Sequence, residues 1–481
     1  MKKKLYIWVQ IIIAATLLGV IIGNFVENLP KPEKKAKYIF LFIGDGMSTP
    51  QRMMAEAYSI KTGGGQLAMN TLPYQANTRT GSANATVTDS AASATAIACG
   101  EKTRNGMLGL DPDGRRLESV AEVAKKNGMK VGIVTTVAIA HATPAGFYAH
   151  RKSRGKYYQI GLDLISSGFD YFAGGGFFGC EDDRDDPEYR GNIFELANDA
   201  GYAIVRTREE WEALKPGSRS LCVLGSSSLP FDIDHTGSQP RLYEIVEKGI
   251  ELLDGPNGFF MMCEGGKIDY ACHANDAATA IRDVLSLDRA VKSALAFQEK
   301  HPQETLIIVT GDHETGGLAL GLGGDGSGGP GAKIGKLAAQ KISVESFSSE
   351  IKKFISKRVK DRICFDDVRG LLAERFGLDD LNEKETASLV KAFEQDVKNV
   401  KSRLKDTTAH DIKRKYVFAQ AVKNVITARV GIAWSTHSHT SLPTFTTAKG
   451  AGAEILVGML DNTDIGIRLK ELLSGKAPGD D

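Results

Sequence analysis

Three apolar runs in this chain end on acidic residues, a pattern that could hold metal ions. Residues 38–43 run into Gly44-Asp45-Gly46, residues 259–263 into Glu264-Gly265-Gly266, and residues 306–310 into Gly311-Asp312-His313-Glu314. A single acidic residue after a strand is ordinarily a turn or a helix cap. Three of them, one beside a histidine, point instead to cation ligands, and the flanking glycines let the backbone approach a bound group closely. Asp269 and His273 stand four residues apart. On a helix that spacing sets both on one face, able to grip one cation. His437 and His439, in Trp434-Ser-Thr-His-Ser-His-Thr440, add two more imidazoles. Mixed histidine and carboxylate sets suit Zn2+, whereas an all-oxygen set suits Mg2+.

A nucleophile candidate, Ser90, lies in Val87-Thr-Asp-Ser90-Ala-Ala-Ser-Ala-Thr-Ala96. The alanine-rich run after it favours a helix, which puts Ser90 at or near a helix N-terminus. That position favours negative charge, both on an ionised hydroxyl and on an arriving phosphate. By itself the segment reads as a plain N-cap. A metal close by would change that reading, because coordination makes a hydroxyl a strong nucleophile at neutral pH.

The elements that must bring these residues together alternate. Residues 38–43, 130–136, 221–224, 259–263, 306–310 and 454–459 read as buried strands, short and apolar. Helical patterns fill 117–127, 239–253 and 276–297, the last with Asn275 as N-cap. Such alternation predicts an α/β fold with a large, mostly parallel central sheet flanked by helices on both faces. Ligands of such sheets bind beyond the carboxyl ends of the strands. Residues 321–335 are glycine-rich, and 336–429 form a charged, helical stretch, clearest at 383–405. This reads as an inserted helical subdomain, a solvated decoration rather than a substrate-selecting cap.

At the N-terminus, Lys2, Lys3 and Lys4 precede an apolar stretch at 5–22. That is the pattern of an export signal or of an uncleaved single-span membrane anchor. Either predicts a catalytic part outside the cytoplasm, periplasmic or anchored to the outer side of a membrane. The expected organisation is signal or anchor at 1–29, linker at 30–37, catalytic domain at 38–320 and 431–481, and loop with helical insertion at 321–430. A formal net charge of +1 gives no electrostatic case for nucleic acid as a dedicated partner. An anionic substrate must then be held by local charge. Cys99, Cys180, Cys222, Cys263, Cys272 and Cys364 show no CxxC spacing and read as structural, buried or bridged, rather than metal-binding.

Gly-Asp-Gly-Met at 44–47, Thr-Asp-Ser-Ala-Ala-Ser-Ala-Thr-Ala at 88–96, Gly-Asp-His-Glu at 311–314 and the series Glu264, Asp269, His273 resemble the alkaline phosphatase family. The resemblance covers roughly 38–320 and 434–464. It implies hydrolysis of small phosphate monoesters through a phosphoserine formed on Ser90. It further implies one zinc held by Asp45, Asp312 and His313, and a second held by Asp269, His273 and a distal histidine. His439 suits that distal place because Thr440 follows it, with His437 as the alternative. Asp45, Glu264 and Thr143 match a magnesium site, and Arg154 matches the arginine that clamps phosphate, its planar fork suiting two oxygens. The neighbouring Arg151 and Lys152 read as solvated.

The chain departs from the best-known bacterial members at His141, where they carry Asp and animal members carry His. It departs again at Tyr270, where the bacterial enzymes carry Lys, and at Ser441, where the family usually has Gly. An imidazole near the third site could draw Zn2+ there instead of Mg2+. Homodimerisation is a family expectation. A diester-cleaving enzyme of the same superfamily is the alternative reading, and a non-catalytic zinc-binding surface protein a more distant one. A sulfatase is disfavoured, since no Cys-x-Pro-x-Arg motif is present.

Overall fold

The computed structural model describes residues 36–178, 184–321, 333–358, 362–403 and 417–475. Numbered along the chain, its main sheet contains β1 (Tyr38–Gly44), β2 (Tyr74–Arg79), β3 (Lys130–Thr135), β4 (Tyr171–Gly174) and β5 (Ala203–Val205). It continues with β6 (Ser220–Val223), β7 (Phe259–Glu264), β8 (Thr305–Gly311), β13 (Thr444–Gly450) and β14 (Gly458–Asp461). Two small antiparallel ribbons lie between: β9 (Glu314–Thr315) with β12 (His439–Thr440), and β10 (Leu318–Leu320) with β11 (Ile432–Trp434). The ten strands run in the order β14-β2-β13-β8-β1-β7-β3-β4-β6-β5. Only β13 is antiparallel to its neighbours in this sheet, β2 and β8.

Alternation along the central strands decides which face each side chain serves. Tyr38, Phe40 and Phe42 of β1 enter one core, and Ile39, Leu41 and Ile43 enter the other. Phe259 and Met261 against Phe260 and Met262 repeat the division on β7. Helices Thr49–Lys61, Leu242–Leu253 and Ala277–Lys300 close the first face. Helices Ser90–Cys99, Val120–Lys126, Tyr157–Ser167 and Asn462–Ser474 close the second. Each large side chain so buried contributes about 1.5–3 kcal/mol. This is the α/β architecture that the alternating pattern predicts.

The registers set the site. Ile43 pairs with Glu264 on one side and Thr310 on the other, Gly44 pairs with Gly311, and Thr135 pairs with Glu264. The carboxyl ends of β8, β1, β7 and β3 are therefore flush, and they deliver their acidic residues to one edge.

Some boundaries differ from the sequence reading. The run 454–459 is not one strand: Ala453–Ile455 is a 3-10 turn, Gly458 has φ 86°, and the strand is β14 (Gly458–Asp461). The 3-10 turn takes the first part of the run, and the strand starts only at the left-handed Gly458. Asp276, not Asn275, caps the helix Ala277–Lys300, accepting from the Thr279 N–H, while Asn275 adopts φ 53°. Within the expected linker, Lys37 is tied to the sheet: its N–H donates to Glu304 O, and its O accepts from Phe259 N–H. The N-terminal apolar stretch, residues 322–332 of the glycine-rich segment and Cys180 lie outside the described residues. Among the described residues no helix is long and apolar enough to cross a membrane. Cys99, Cys222, Cys263 and Cys272 are buried free thiols, and Cys364 is an exposed one.

The helical stretch is not a solvated decoration. Helices Val344–Lys357, Asp366–Phe376, Glu383–Arg403 and Val417–Val430 place Phe347, Ile351, Leu372, Phe376, Phe393, Phe418 and Val422 in the core of the first face. Phe347 meets Phe376 at 4.7 Å between ring centroids, and Phe393 meets Phe418 at 5.1 Å. Most of its charged residues cover the outer side, but Asp396 and Lys423 are buried.

Candidate active site

After β1 the chain turns through Gly46, whose φ is 70°. A Cβ there would lie 2.8 Å from Asp269 Oδ1, so only glycine fits without displacement. The Gly46 N–H donates to Asp312 Oδ1 at 3.0 Å, as does the His313 N–H at 2.9 Å. Asp312 is thereby aimed with its second oxygen inward, 3.2 Å from His313 Nε2. Asp45 Oδ1 is 3.4 Å from the same nitrogen, and Ser90 Oγ is 3.2 Å from it. Asp45 Oδ1 and Asp312 Oδ2 are buried and have no hydrogen-bond donor. Burial, then repulsion from Asp312, pushes Asp45 well above the usual carboxylate range, and burial raises Asp312 to about 7. Burial also holds His313 well below its ordinary value, so its ring is neutral. Unpartnered carboxylate oxygens around a neutral ring nitrogen are the donor set of a cation.

Asp269 and His273 come from the helix Lys267–His273. His273 Nδ1 lies 2.6 Å from His437 O, and His439 Nδ1 lies 3.0 Å from Thr88 O. A ring nitrogen facing a carbonyl must carry the proton, so each Nε2 presents a lone pair. Those two Nε2 atoms are 3.2 Å apart, with Asp269 Oδ2 3.3 Å from one and Asp269 Oδ1 3.7 Å from the other. Facing lone pairs repel unless a cation lies between them. His439 is the distal histidine whose ring nitrogen converges with Asp269 and His273. His437 is exposed and contributes its backbone carbonyl to His273.

A third group joins Asp45, His141 and Glu264. His141 Nδ1 lies 3.9 Å from Asp45 Oδ2 and 4.0 Å from Glu264 Oε1, while Thr143 Oγ1 donates to Asp45 Oδ2 at 3.4 Å. Thr135 donates to the other Glu264 oxygen, Oε2. Glu264 Oε1 and His141 Nδ1 are buried without partners. Burial raises Glu264 to about 8, and burial with the Arg154 charge lowers His141 to about 3. Asp45 is thus shared, one oxygen facing His313 and the other facing His141.

Ser90 opens the helix Ser90–Cys99, but Asp89 caps it, accepting from the Ala92 N–H at 3.0 Å. The Ser90 hydroxyl is left to face His313. Arg154 Nη1 donates to Asp89 Oδ2 at 3.0 Å and Nη2 to His141 Nε2 at 3.1 Å. Tyr270 packs edge-on against His141, 6.1 Å between centroids. Arg151 is not solvated: Asp163 and Glu188 bind its guanidinium.

Sequence reasoning did not single out Asp89, Thr135 or Thr315. Asp89 carried a signal, an acidic residue just before an alanine-rich helix. Thr315 Oγ1 donates to Asp269 Oδ1 at 2.6 Å, a contact across 46 residues that only the fold creates. Glu314 turns away from the cluster and accepts from Gln51, the Gly317 N–H and Thr440, tying down the ribbon.

The alkaline phosphatase family model matches residues 36–474. Alkaline phosphatase 4 of Bacillus subtilis (strain 168) is 28% identical across 99% of this chain and 98% of its own length. Alkaline phosphatase 3 of the same organism is 30% identical across 92% and 91%. The cold-active alkaline phosphatase of a psychrophilic Shewanella superposes with a TM-score of 0.76 at 26% identity, over 91% of this chain and 99% of that one. The Thermus thermophilus alkaline phosphatase gives 0.76 at 27% identity, over 94% of each. These matches span the sheet, its acidic edge and the helical stretch together, and the chain belongs to the alkaline phosphatase family of metal-dependent phosphomonoester hydrolases.

Proposed function

We propose that this chain hydrolyses phosphate monoesters through a covalent phosphoserine on Ser90, at a site holding two Zn2+ and a third ion. The observation that carries the reading is Ser90 Oγ at 3.2 Å from His313 Nε2, with Asp89 in the capping role that would otherwise occupy the hydroxyl. Asp45, Asp312 and His313 would hold the first zinc, and Asp269, His273 and His439 the second. Asp45, Glu264 and Thr143 would hold the third ion, Mg2+; with Arg154 turned from His141 Nε2 to phosphate and the ring proton moved to Nε2, His141 Nδ1 would offer a nitrogen donor that suits Zn2+ as well. The buried, unpartnered oxygens of Asp45, Asp312 and Glu264 fit this assignment, since each lacks the donor that a buried carboxylate requires.

Bound divalent cations would lower the pKa of the serine hydroxyl and of water and offset charge on the leaving oxygen. The Ser90 oxygen forms the bond to phosphorus as the ester P–O bond breaks, and the alcohol departs with the hydroxyl proton. Water then attacks the phosphoserine, releasing inorganic phosphate and restoring the Ser90 hydroxyl. Arg154, oriented by Asp89 and His141, binds equatorial phosphate oxygens, and the helix N-terminus at Ser90 adds partial positive charge. No residue of these sets is assigned to the alcohol portion, which favours broad specificity. The N-terminal lysines and apolar stretch support action outside the cytoplasm.

The test is metal analysis of the purified chain with a monoesterase assay before and after chelation. Bound zinc and activity that is lost on chelation and regained with Zn2+ are expected. Full activity in a metal-free sample would contradict the reading.

A further inference from the structure

The helix Val417–Val430 meets the second ligand set from two directions. Lys423 on this helix is only 6% exposed, and its Nζ donates to Ala274 O at 3.1 Å. Ala274 is the C-cap of the helix that carries Asp269 and ends on His273. That end is a tight left-handed turn: Asn275 has φ 53° and donates to Cys272 O, and the Asp276 N–H donates to Ala271 O. A cation on the last carbonyls of a helix reinforces its termination. A buried ammonium carries a desolvation cost that an apolar side chain would not.

Two further contacts hold the same turn. The Asp276 carboxylate accepts from Gln340 Nε2 at 2.9 Å and from the Val344 N–H at 2.8 Å, both in the helical stretch. Beyond Val430 the chain turns at Gly431, φ 75°, and forms β11, which pairs with β10. It then supplies the His437 carbonyl that orients His273, and His439 itself. The backbone that leads on from this helix thus carries both His439 and the carbonyl that faces His273.

We infer that the helical stretch, through Lys423 and secondarily Gln340, positions the second metal set, fixing the geometry of His273 and His439. This rests on reading Asp269, His273 and His439 as zinc ligands. Lys423 is a positioning residue, since it acts through the backbone carbonyl one residue beyond His273. The outer partners of metal ligands typically affect affinity by about 10–100-fold.

The test uses the full chain and its Lys423→Met and Gln340→Leu variants, stripped of metal and titrated with Zn2+ against a chromophoric chelator. The wild type is expected to bind zinc at resolvable sites. Lys423→Met should weaken one site about tenfold or more, leave the others intact, and regain activity in excess Zn2+. The melting temperature of the stripped protein, read alongside, separates this selective loss from general unfolding. Gln340→Leu should weaken the same site less, and it decides the matter if Lys423→Met does not fold. Unchanged zinc binding in the variants, or a loss spread evenly over all sites, would overturn the inference while leaving the metal reading in place. A wild-type chain that binds no zinc would overturn both.

Discussion

Asp89 Oδ2 sits 3.0 Å from Arg154 Nη1, while Asp89 Oδ1 accepts from the Ala92 and Gly106 N–H groups. One carboxylate therefore caps the Ser90 helix, pins the neighbouring loop and orients the arginine assigned to phosphate. Ser90 and Arg154 are coupled through the residue between them.

These roles separate by substitution. Asp89→Ala removes the cap and should cost about 1 kcal/mol of stability, whereas Asp89→Asn keeps a competent cap and should cost much less. Both remove the charge facing Arg154, so both should raise KM for a monoester several-fold. Denaturant melts with steady-state kinetics measure this. An unchanged KM in Asp89→Asn would show that the contact does not orient the guanidinium.

Buried acids make the metal-stripped chain sensitive to pH. Burial raises Asp312 to about 7 and Glu264 to about 8. Above about pH 4 the unfolded chain has lost these protons while the folded chain keeps them. Their stabilising contribution is complete below that pH and is lost as pH rises through 7 and 8. His141, lowered to about 3, acts in the opposite sense, but its effect is complete above about pH 6.5. The melting temperature of stripped protein should therefore fall from about pH 6.5 to 8.5. Zinc displaces the protons and should remove the fall. A stripped protein whose melting temperature stays flat across that range would contradict the crowding of these carboxylates.

His141→Asp exchanges the nitrogen of the third group for oxygen. Asp45, Glu264 and Thr143 then form part of an all-oxygen set, which suits Mg2+. Mg2+ should stimulate the variant more than the parent, and metal analysis should find more magnesium retained. Equal stimulation and equal metal content would mean that His141 does not influence the third ion.

The residues most legible in the sequence are those whose local pattern and chemistry coincide. Asp45, Glu264 and Asp312 follow continuous apolar strands, and parallel pairing alone brings such ends to one edge. Polar strands were harder to read. Tyr74–Arg79 and the threonine-rich Thr444–Gly450 lack an apolar run, because their place in the sheet comes from pairing with each other and with β8. Asn275 and Asp276 are both cap formers, and only the backbone shows that the asparagine takes the left-handed turn and the aspartate the cap. The helical stretch looked solvated because its charges are local and frequent. Its Phe347, Phe393 and Phe418 contacts are long-range and leave weaker periodic traces.

The central claim is that Ser90 Oγ takes the phosphoryl group. Rapid quenching of the wild type with a labelled phosphate monoester, followed by intact-mass and peptide analysis, tests it most directly. A single added phosphoryl group mapped to Ser90 is predicted, absent in Ser90→Ala, whose kcat should fall by on the order of a thousandfold or more. Label on another residue, or near wild-type turnover by Ser90→Ala, would contradict the account.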